Sequence, residues 1–86
     1  MIKKNTAEKI IETMEAIRNC QKIINLLRGK KAKKAYTTVF HEDPDTDPIH
    51  IELSHNVALK TIEQNLELEK QKLLDLNLRA AEEVKR

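Results

Sequence analysis

A chain of 86 residues has room for a single domain, and a chain this short buries a smaller fraction of its surface than a domain of ordinary size. Its composition is 40% apolar and 35% charged, with one Phe, one Tyr and no Trp, which is typical of helices with a narrow apolar stripe. A single cysteine, Cys20, excludes an internal disulfide framework. We therefore expect a thin core, to which self-association would add the missing burial.

The sequence also excludes an obvious membrane anchor. No run approaches the roughly eighteen apolar residues of a membrane span, and the first residues lead into a charged helix rather than into the apolar region of a signal peptide. A lone thiol is also compatible with a reducing compartment. We therefore expect no membrane partner and a cytoplasmic location.

Apolar residues at helical spacing predict a first helix over about residues 6–28. Asn5, with Glu8 three positions later, resembles a capping box at its start. Gly29, the only glycine of the chain, stands where a left-handed C-terminal cap is wanted. The predicted apolar stripe of this helix consists of Ile10, Met14, Ile17, Ile24 and Leu27, widened by Ile11, Cys20 and Ile23.

A basic turn over residues 29–34 follows this helix, within a first segment, residues 1–34, whose net charge is +7. Some of its positive charge interacts favourably with the negative end of the helix dipole. The remaining lysines exceed what a helix end needs, so they either form a solvated patch or hold an anion, with a tyrosine close by to stack or donate. The candidate ligand-binding residues are Arg28, Lys30, Lys31, Lys33, Lys34 and Tyr36.

Period-two alternation predicts two short strands within residues 35–53, separated by the segment EDPDTDP. Two prolines and four acids make that segment a turn, so we predict a β-hairpin with a loop of about seven residues. An isolated two-stranded hairpin is marginal unless its apolar face packs on something. On the first strand Tyr36, Thr38 and Phe40 alternate with Thr37, Val39 and His41, and on the second Ile49, Ile51 and Leu53 alternate with His50 and Glu52.

Ser54 is placed to cap a second, longer helix over about residues 55–85, a segment without Gly or Pro. Its heptad-like stripe has a charged gap at Glu69 and Lys70, and at ~1.5 Å per residue it exceeds the first helix by about two turns. The stripe consists of Leu59, Ile62, Leu66, Leu73, Leu76, Ala80 and Val84, while Leu68, Leu74 and Leu78 lie off it.

These elements predict a mainly α fold in one domain. Two long helices form an antiparallel, coiled-coil-like hairpin, and a short two-stranded β-hairpin joins them. The leucines off the stripe and the overhang of the second helix predict packing against another copy of the chain, most simply as a two-fold dimer.

Metal and catalytic sites have little support. Asp43, Asp45 and Asp47 match the opening of an EF-hand loop, but Pro48 stands where that loop needs Gly and Ser54 where it needs Glu. The three histidines have no cysteine or second motif beside them. A Gly-rich phosphate loop and a nucleophile with recognisable partners are also missing. We therefore expect no metal, no cofactor and no catalytic residue, and we interpret the cysteine as a packing residue.

The order of helix, short hairpin ending in Ile51, Glu52, Leu53 and Ser54, and long Glu/Lys/Leu helix resembles small accessory proteins encoded by bacteriophages. Such proteins include counter-defence factors, among them oligomeric helical sponges that sequester the cyclic oligonucleotides of bacterial anti-phage signalling. In that sponge family a tyrosine and a lysine contact the nucleotide at subunit contacts. The resemblance implies a homo-oligomer in the host cytoplasm, with Tyr36 and the lysines around Lys33 as the similar set.

Our leading hypothesis is a non-enzymatic, homo-oligomeric binding protein that holds an anionic small ligand, such as a signalling nucleotide, or a host protein, and thereby blocks it. Nucleic-acid binding through the basic first segment is an alternative, which a near-neutral chain with two aromatic residues and an acidic segment disfavours. A coiled-coil structural or assembly protein is the third interpretation. The ligand and the number of subunits stay open at this point.

Overall fold

The computed structural model describes residues 1–85, which form two helices with a β-hairpin between them. The predicted fold is confirmed, because the helices run antiparallel side by side and each predicted boundary lies within about two residues of the observed one. No helix in this part of the chain combines the length and apolar character needed to cross a bilayer. The elements are α1 Lys4–Arg28, β1 Ala35–Val39, β2 Ile49–Leu53 and α2 His55–Lys85.

Residues spaced by seven form the seam between the helices. Thr6, Thr13, Cys20 and Leu27 of α1 are all buried. The isoleucines at positions 10, 17 and 24, three residues before Thr13, Cys20 and Leu27, are buried or half-buried. This is the alternation of three and four that packs one helix into the holes of another. On α2 the matching positions are Ile62, Leu66, Glu69, Leu73, Leu76, Ala80 and Glu83, all buried or half-buried.

Two predicted stripe residues are wrong. Met14 and Val84 are exposed, and the polar residues beside them, Thr13 and Glu83, face the seam instead. The spacing between seam positions alternates strictly between three and four residues, so residue 13 faces the other helix although it is polar. Thr13 satisfies its hydroxyl inside the seam by donating to the backbone carbonyl of Lys9, at 2.7 Å.

The predicted capping box is also wrong. Helix α1 begins at Lys4, so Asn5 lies inside its first turn, and no side chain of Lys3 caps it. The carboxylate of Glu83, at the far end of α2, accepts from the backbone N–H of Lys3 at 3.0 Å and from the hydroxyl of Thr6 at 2.6 Å. A negative charge at a helix N-terminus also favours the helix dipole. One residue of α2 therefore caps α1 and fixes the alignment of the two helices.

The two hydrogen bonds lower the pKa of Glu83 below its ordinary value of 4.5, the bond from Thr6 contributing most and the bond from Lys3 next. A carboxyl whose pKa falls on folding stabilises the folded state above its ordinary pKa, and that stabilisation is lost as the pH falls through the lowered value. We expect Glu83→Gln to lower the unfolding midpoint at pH 7, and the difference from the parent protein to shrink as the pH falls from 5 towards 3. Thermal unfolding at one protein concentration measures the two midpoints. A difference between them that does not change with pH would contradict the role of the Glu83 carboxylate as the cap of α1.

The left-handed residue that closes α1 is Lys30, one residue after the glycine that was predicted to take that position. Gly29 has φ −80°, an ordinary value, whereas Lys30 has φ 55°. The N–H of Lys31 donates to the carbonyl of Leu26 at 2.9 Å and that of Lys30 to Leu27 at 3.3 Å. These two bonds form a Schellman motif with Lys30 in its left-handed position. The lysine therefore adopts the conformation expected of the glycine.

We expect Lys30→Gly to raise the free energy of unfolding by about 0.5–1 kcal/mol. The left-handed region costs an L-residue about 1–2 kcal/mol, and the greater chain entropy of glycine offsets about 0.5–1 kcal/mol of the gain. Urea unfolding measures the change. Lys31→Gly removes the same charge at a position without positive φ and should not stabilise the chain. Equal effects of the two substitutions would show that the left-handed conformation is not the cause.

The extra length of α2 lies at its start. Glu83 meets the beginning of α1, and at the opposite end Arg28 pairs with Glu63, so the first two turns of α2 extend past α1. Ala58 in this extension is buried, and it shares a groove with strand residues. The predicted overhang therefore exists, and the base of the hairpin of the same chain lies against it.

The β-hairpin, which we call the arm, pairs in antiparallel register from Ala35 opposite Leu53 to Val39 opposite Ile49. Its loop covers residues 40–48, two residues longer than predicted, because Phe40 leaves the ladder. Directly paired residues share a face. The apolar arm face carries Ala35, Thr37, Val39, Ile49, Ile51 and Leu53, and the polar arm face carries Tyr36, Thr38, His50 and Glu52.

The whole molecule is one layer thick. Its dimensions are 48 × 37 × 15 Å, and a helix with its side chains is about 10–12 Å across. The radius of gyration is 16.6 Å, where a compact chain of this length has about 12 Å. The accessible surface is 7274 Å², against about 5,200 Å² expected for this mass. Helices and arm therefore lie side by side, and both broad faces of the layer are open.

Candidate functional site

The base of the arm brings basic, acidic, hydroxyl and imidazole side chains together. The basic turn, residues 29–34, enters β1 here, and Ser54 leads from β2 into α2. The hydroxyl of Ser54 accepts from the backbone N–H of Val57 at 3.3 Å, so it caps α2 as its position in the sequence predicts. This junction holds the turn, both strands and the positive end of α2 close together.

A cavity of about 330 Å³ opens on this junction, and we call it the lysine pocket. Its size is at the lower end of the range that holds small ligands, about 300–1,000 Å³. Two ammonium groups on exposed side chains line it, together with one carboxylate and one imidazole. The lining residues are Lys33, Lys34, Glu52, Leu53, Ser54 and His55.

Tyr36 lies beside this pocket. Strand alternation turns its side chain to the polar arm face, directly opposite Glu52. The ring is 55% exposed, so it presents a surface on which a planar ligand could stack. On the same face the hydroxyl of Thr38 and Nδ1 of His50 share a hydrogen bond of 2.8 Å.

The structure divides the predicted site residues. Lys33 and Lys34 come together at the lysine pocket, and Lys34 and Tyr36 also line a second opening, described below. Arg28 instead turns towards α2, where its guanidinium lies 3.5 Å from the carboxylate of Glu63. That pair is exposed, so it contributes less than about 1 kcal/mol to stability.

Lys30 and Lys31 are exposed in the turn itself, where the first occupies the left-handed position. Sequence reasoning did not include Glu52 and His55 in the site. The hairpin register, which places Glu52 opposite Tyr36, would have identified the first of them. Its carboxylate works against an anionic ligand, because it is a negative charge among the lysines.

A second opening, the groove, has a volume of about 380 Å³ and lies on the other side of the arm's base. Aliphatic side chains from α1, the arm and α2 form most of its walls. Thr37 lines the groove, so the apolar arm face forms part of its wall. The wall residues include Ile23, Leu26, Thr37, Leu53, Thr61 and Ile62.

The acidic tip, which comprises Glu42, Asp43, Asp45 and Asp47, lies at the far end of the arm. One carboxylate holds the turn, since Oδ1 of Asp43 accepts from the backbone N–H of Asp45 at 3.0 Å. Nδ1 of His41 accepts from the N–H of Asp43 at 2.9 Å. Within residues 1–85, no group of three His, Cys, Asp or Glu side chains gathers as metal ligands would.

Cys20 lies inside the seam, away from the arm. Its side chain is buried, and its sulfur accepts a weak hydrogen bond from the amide of Asn65 at 3.4 Å. A buried thiol among aliphatic side chains behaves as a small apolar group. The cysteine therefore packs in the core of the helical hairpin.

Comparison of the chain with models of protein families, with curated proteins and with solved structures finds no match. The lysine pocket can supply two ammonium groups and an imidazole to one ligand, and the exposed phenol of Tyr36 lies on the strand beside it, opposite Glu52. Ammonium groups bind phosphate or carboxylate oxygens as point charges, and an aromatic ring stacks on a base.

Proposed function

We propose that this chain is a non-enzymatic, homo-oligomeric binding protein that sequesters an anionic small ligand such as a signalling nucleotide. The observation that carries the proposal is the lysine pocket, where Lys33 and Lys34 flank one cavity, and exposed Tyr36 lies directly opposite Glu52 of its wall. A nucleotide combines the two groups that this site can hold, a phosphate for the ammonium groups and a base for the ring.

The position of the pocket supports the same ligand class. It opens at the N-terminal end of α2, a helix of 31 residues whose dipole favours an anion there. His55 adds an imidazole on the same side. Glu52 is the opposing charge, and its effect is to weaken anion binding rather than to prevent it, since the pocket is open to solvent screening.

The biological role that we propose follows the resemblance to phage accessory proteins. A protein that binds a host signalling nucleotide without turning it over lowers its free concentration and so blocks the response. This role places the protein in the host cytoplasm. Binding to a host protein is the second form of the proposal, and exposed Leu74 and Leu78 on α2 favour it, because they lie off the seam.

Isothermal titration calorimetry with cyclic dinucleotides and cyclic trinucleotides at fixed salt tests the ligand form. We expect the double variant Lys33→Glu/Lys34→Glu to weaken binding at least about tenfold, because a single charge-assisted hydrogen bond is worth about 1.5–3 kcal/mol. Tyr36→Ala should weaken binding as well, whereas Glu52→Gln should strengthen it. Lys9→Glu/Lys22→Glu makes the same change of charge on α1 and should leave the affinity within about twofold.

An absence of binding heat with these ligands, or equal losses in the two lysine double variants, would contradict the pocket. The salt dependence of the affinity distinguishes nucleic-acid binding from ligand binding in the lysine pocket. A nucleic acid bound along the basic first segment would lose affinity steeply with salt, and Lys9→Glu/Lys22→Glu would then weaken it as much as the pocket variant does. Binding confined to a host protein would be insensitive to both lysine variants.

A further inference from the structure

The apolar arm face is open over most of its length. Only its base is half-buried, where Ala35 and Leu53 meet the helices. Further out, Val39 is 59% exposed, Ile49 is 64% exposed and Ile51 is 56% exposed. A two-stranded hairpin is marginal in water unless such a face packs on something. The arm therefore carries aliphatic surface that its own helices do not cover.

This face continues into the groove. Thr37 lines the groove, and the strand register places Ile51 directly opposite Thr37 on the same face. Half-exposed Ile23 and Leu26 of α1 form the adjoining wall. Groove and apolar arm face are thus one continuous apolar surface that runs from α1 to the end of the strands.

The chain as a whole has surface to spare for a second copy. It exposes 7274 Å², roughly 2,000 Å² more than a compact chain of its mass, and the apolar arm face and the groove are one part of that surface. Obligate homodimers bury about 2,000–5,000 Å² over both chains, and two copies of this chain carry a total excess of about 4,000 Å². The single-layer shape explains the excess, because a second layer is what this fold lacks.

Charge complementarity also favours a second copy of the chain as the partner and indicates how the two copies are oriented. The acidic tip at the far end of the arm carries four carboxylates, and the basic turn at its base carries four lysines. Two arms that cross antiparallel bring each tip over the other base. A two-fold axis makes this contact twice with one set of residues.

We propose that two copies of this chain pack apolar arm face on apolar arm face, with the arms antiparallel and each acidic tip at the basic turn of the other copy. The inference rests on the self-association in the proposed function and identifies the surface that performs it. Glu52, Ser54 and His55 of the lysine pocket do not line the groove, whereas Lys34 and Tyr36 lie at the border of the two surfaces.

Sedimentation equilibrium measures the dimer dissociation constant of the full chain. We expect Ile49→Thr/Ile51→Thr to raise it at least 100-fold, since threonine keeps the β-branched strand preference while the apolar contact is lost. The matched control, Ile11→Thr/Val84→Thr, changes two equally exposed β-branched residues of the helices and should leave the dissociation constant within about threefold. Far-ultraviolet circular dichroism confirms that both variants retain the helical hairpin.

A charge exchange tests the orientation without altering the apolar face. Lys30→Glu/Lys31→Glu should raise the dissociation constant at least tenfold, and Asp45→Lys/Asp47→Lys in the same chain should restore it. Failure of this rescue would overturn the antiparallel arrangement.

An arm variant that dimerises as well as the parent protein, or a dimer lost only in the Ile11→Thr/Val84→Thr control, would overturn the interface. A parent protein that stays monomeric would overturn the self-association as well. Calorimetry with a cyclic dinucleotide on the Ile49→Thr/Ile51→Thr variant separates this result from the ligand site, because the lysine pocket lies within one chain.

Discussion

The seam between the two helices determines where every other part of the molecule lies. It is a single line of small and medium side chains, and it includes four polar residues, Thr6, Thr13, Glu69 and Glu83. No large side chain of residues 1–85 is completely enclosed. A seam of this width holds two helices together but leaves their outer surfaces open, and the arm lies beside the helices, in the same layer.

Glu83 adds the alignment that such a seam lacks. Sliding one antiparallel helix along the other by a heptad exchanges similar side chains at little cost, whereas the bonds from Lys3 and Thr6 are made in one register only. That register fixes the extra turns of α2 at the base of the arm. The lysine pocket and the groove exist because those turns lie there.

The sequence predicts the fold well because its signals are local. Apolar residues recur every second residue in the strands and every three to four residues in the helices, and the two prolines locate the loop. The errors at Asn5 and Met14 share one cause, since each depended on how α2 packs against α1, whereas at Gly29 the left-handed position is shifted by one residue within the same turn. The cap of α1 comes from α2, and a polar residue was drawn inward by the heptad spacing rather than by its own character.

The candidate site was predicted as one continuous basic cluster, and the structure divides it. Helix periodicity turns Arg28 towards Glu63, and the Schellman turn separates the first two lysines of the turn from Lys33 and Lys34. Sequence spacing alone could not give this division, because it depends on which residue takes the positive φ angle. The two faces of the arm then have separate proposed roles, one for a ligand and one for a second copy.

The central claim is that the arm is stable because a second copy covers it. Hydrogen exchange of the strand amides, followed by mass spectrometry at concentrations above and below the dimer dissociation constant, tests this most directly. The account predicts that β1 and β2 are protected in the dimer and exchange at least tenfold faster on dilution, while the seam residues of α1 change less. Equal protection of the strands at both concentrations would show that the arm is stable in a single chain and would contradict the claim.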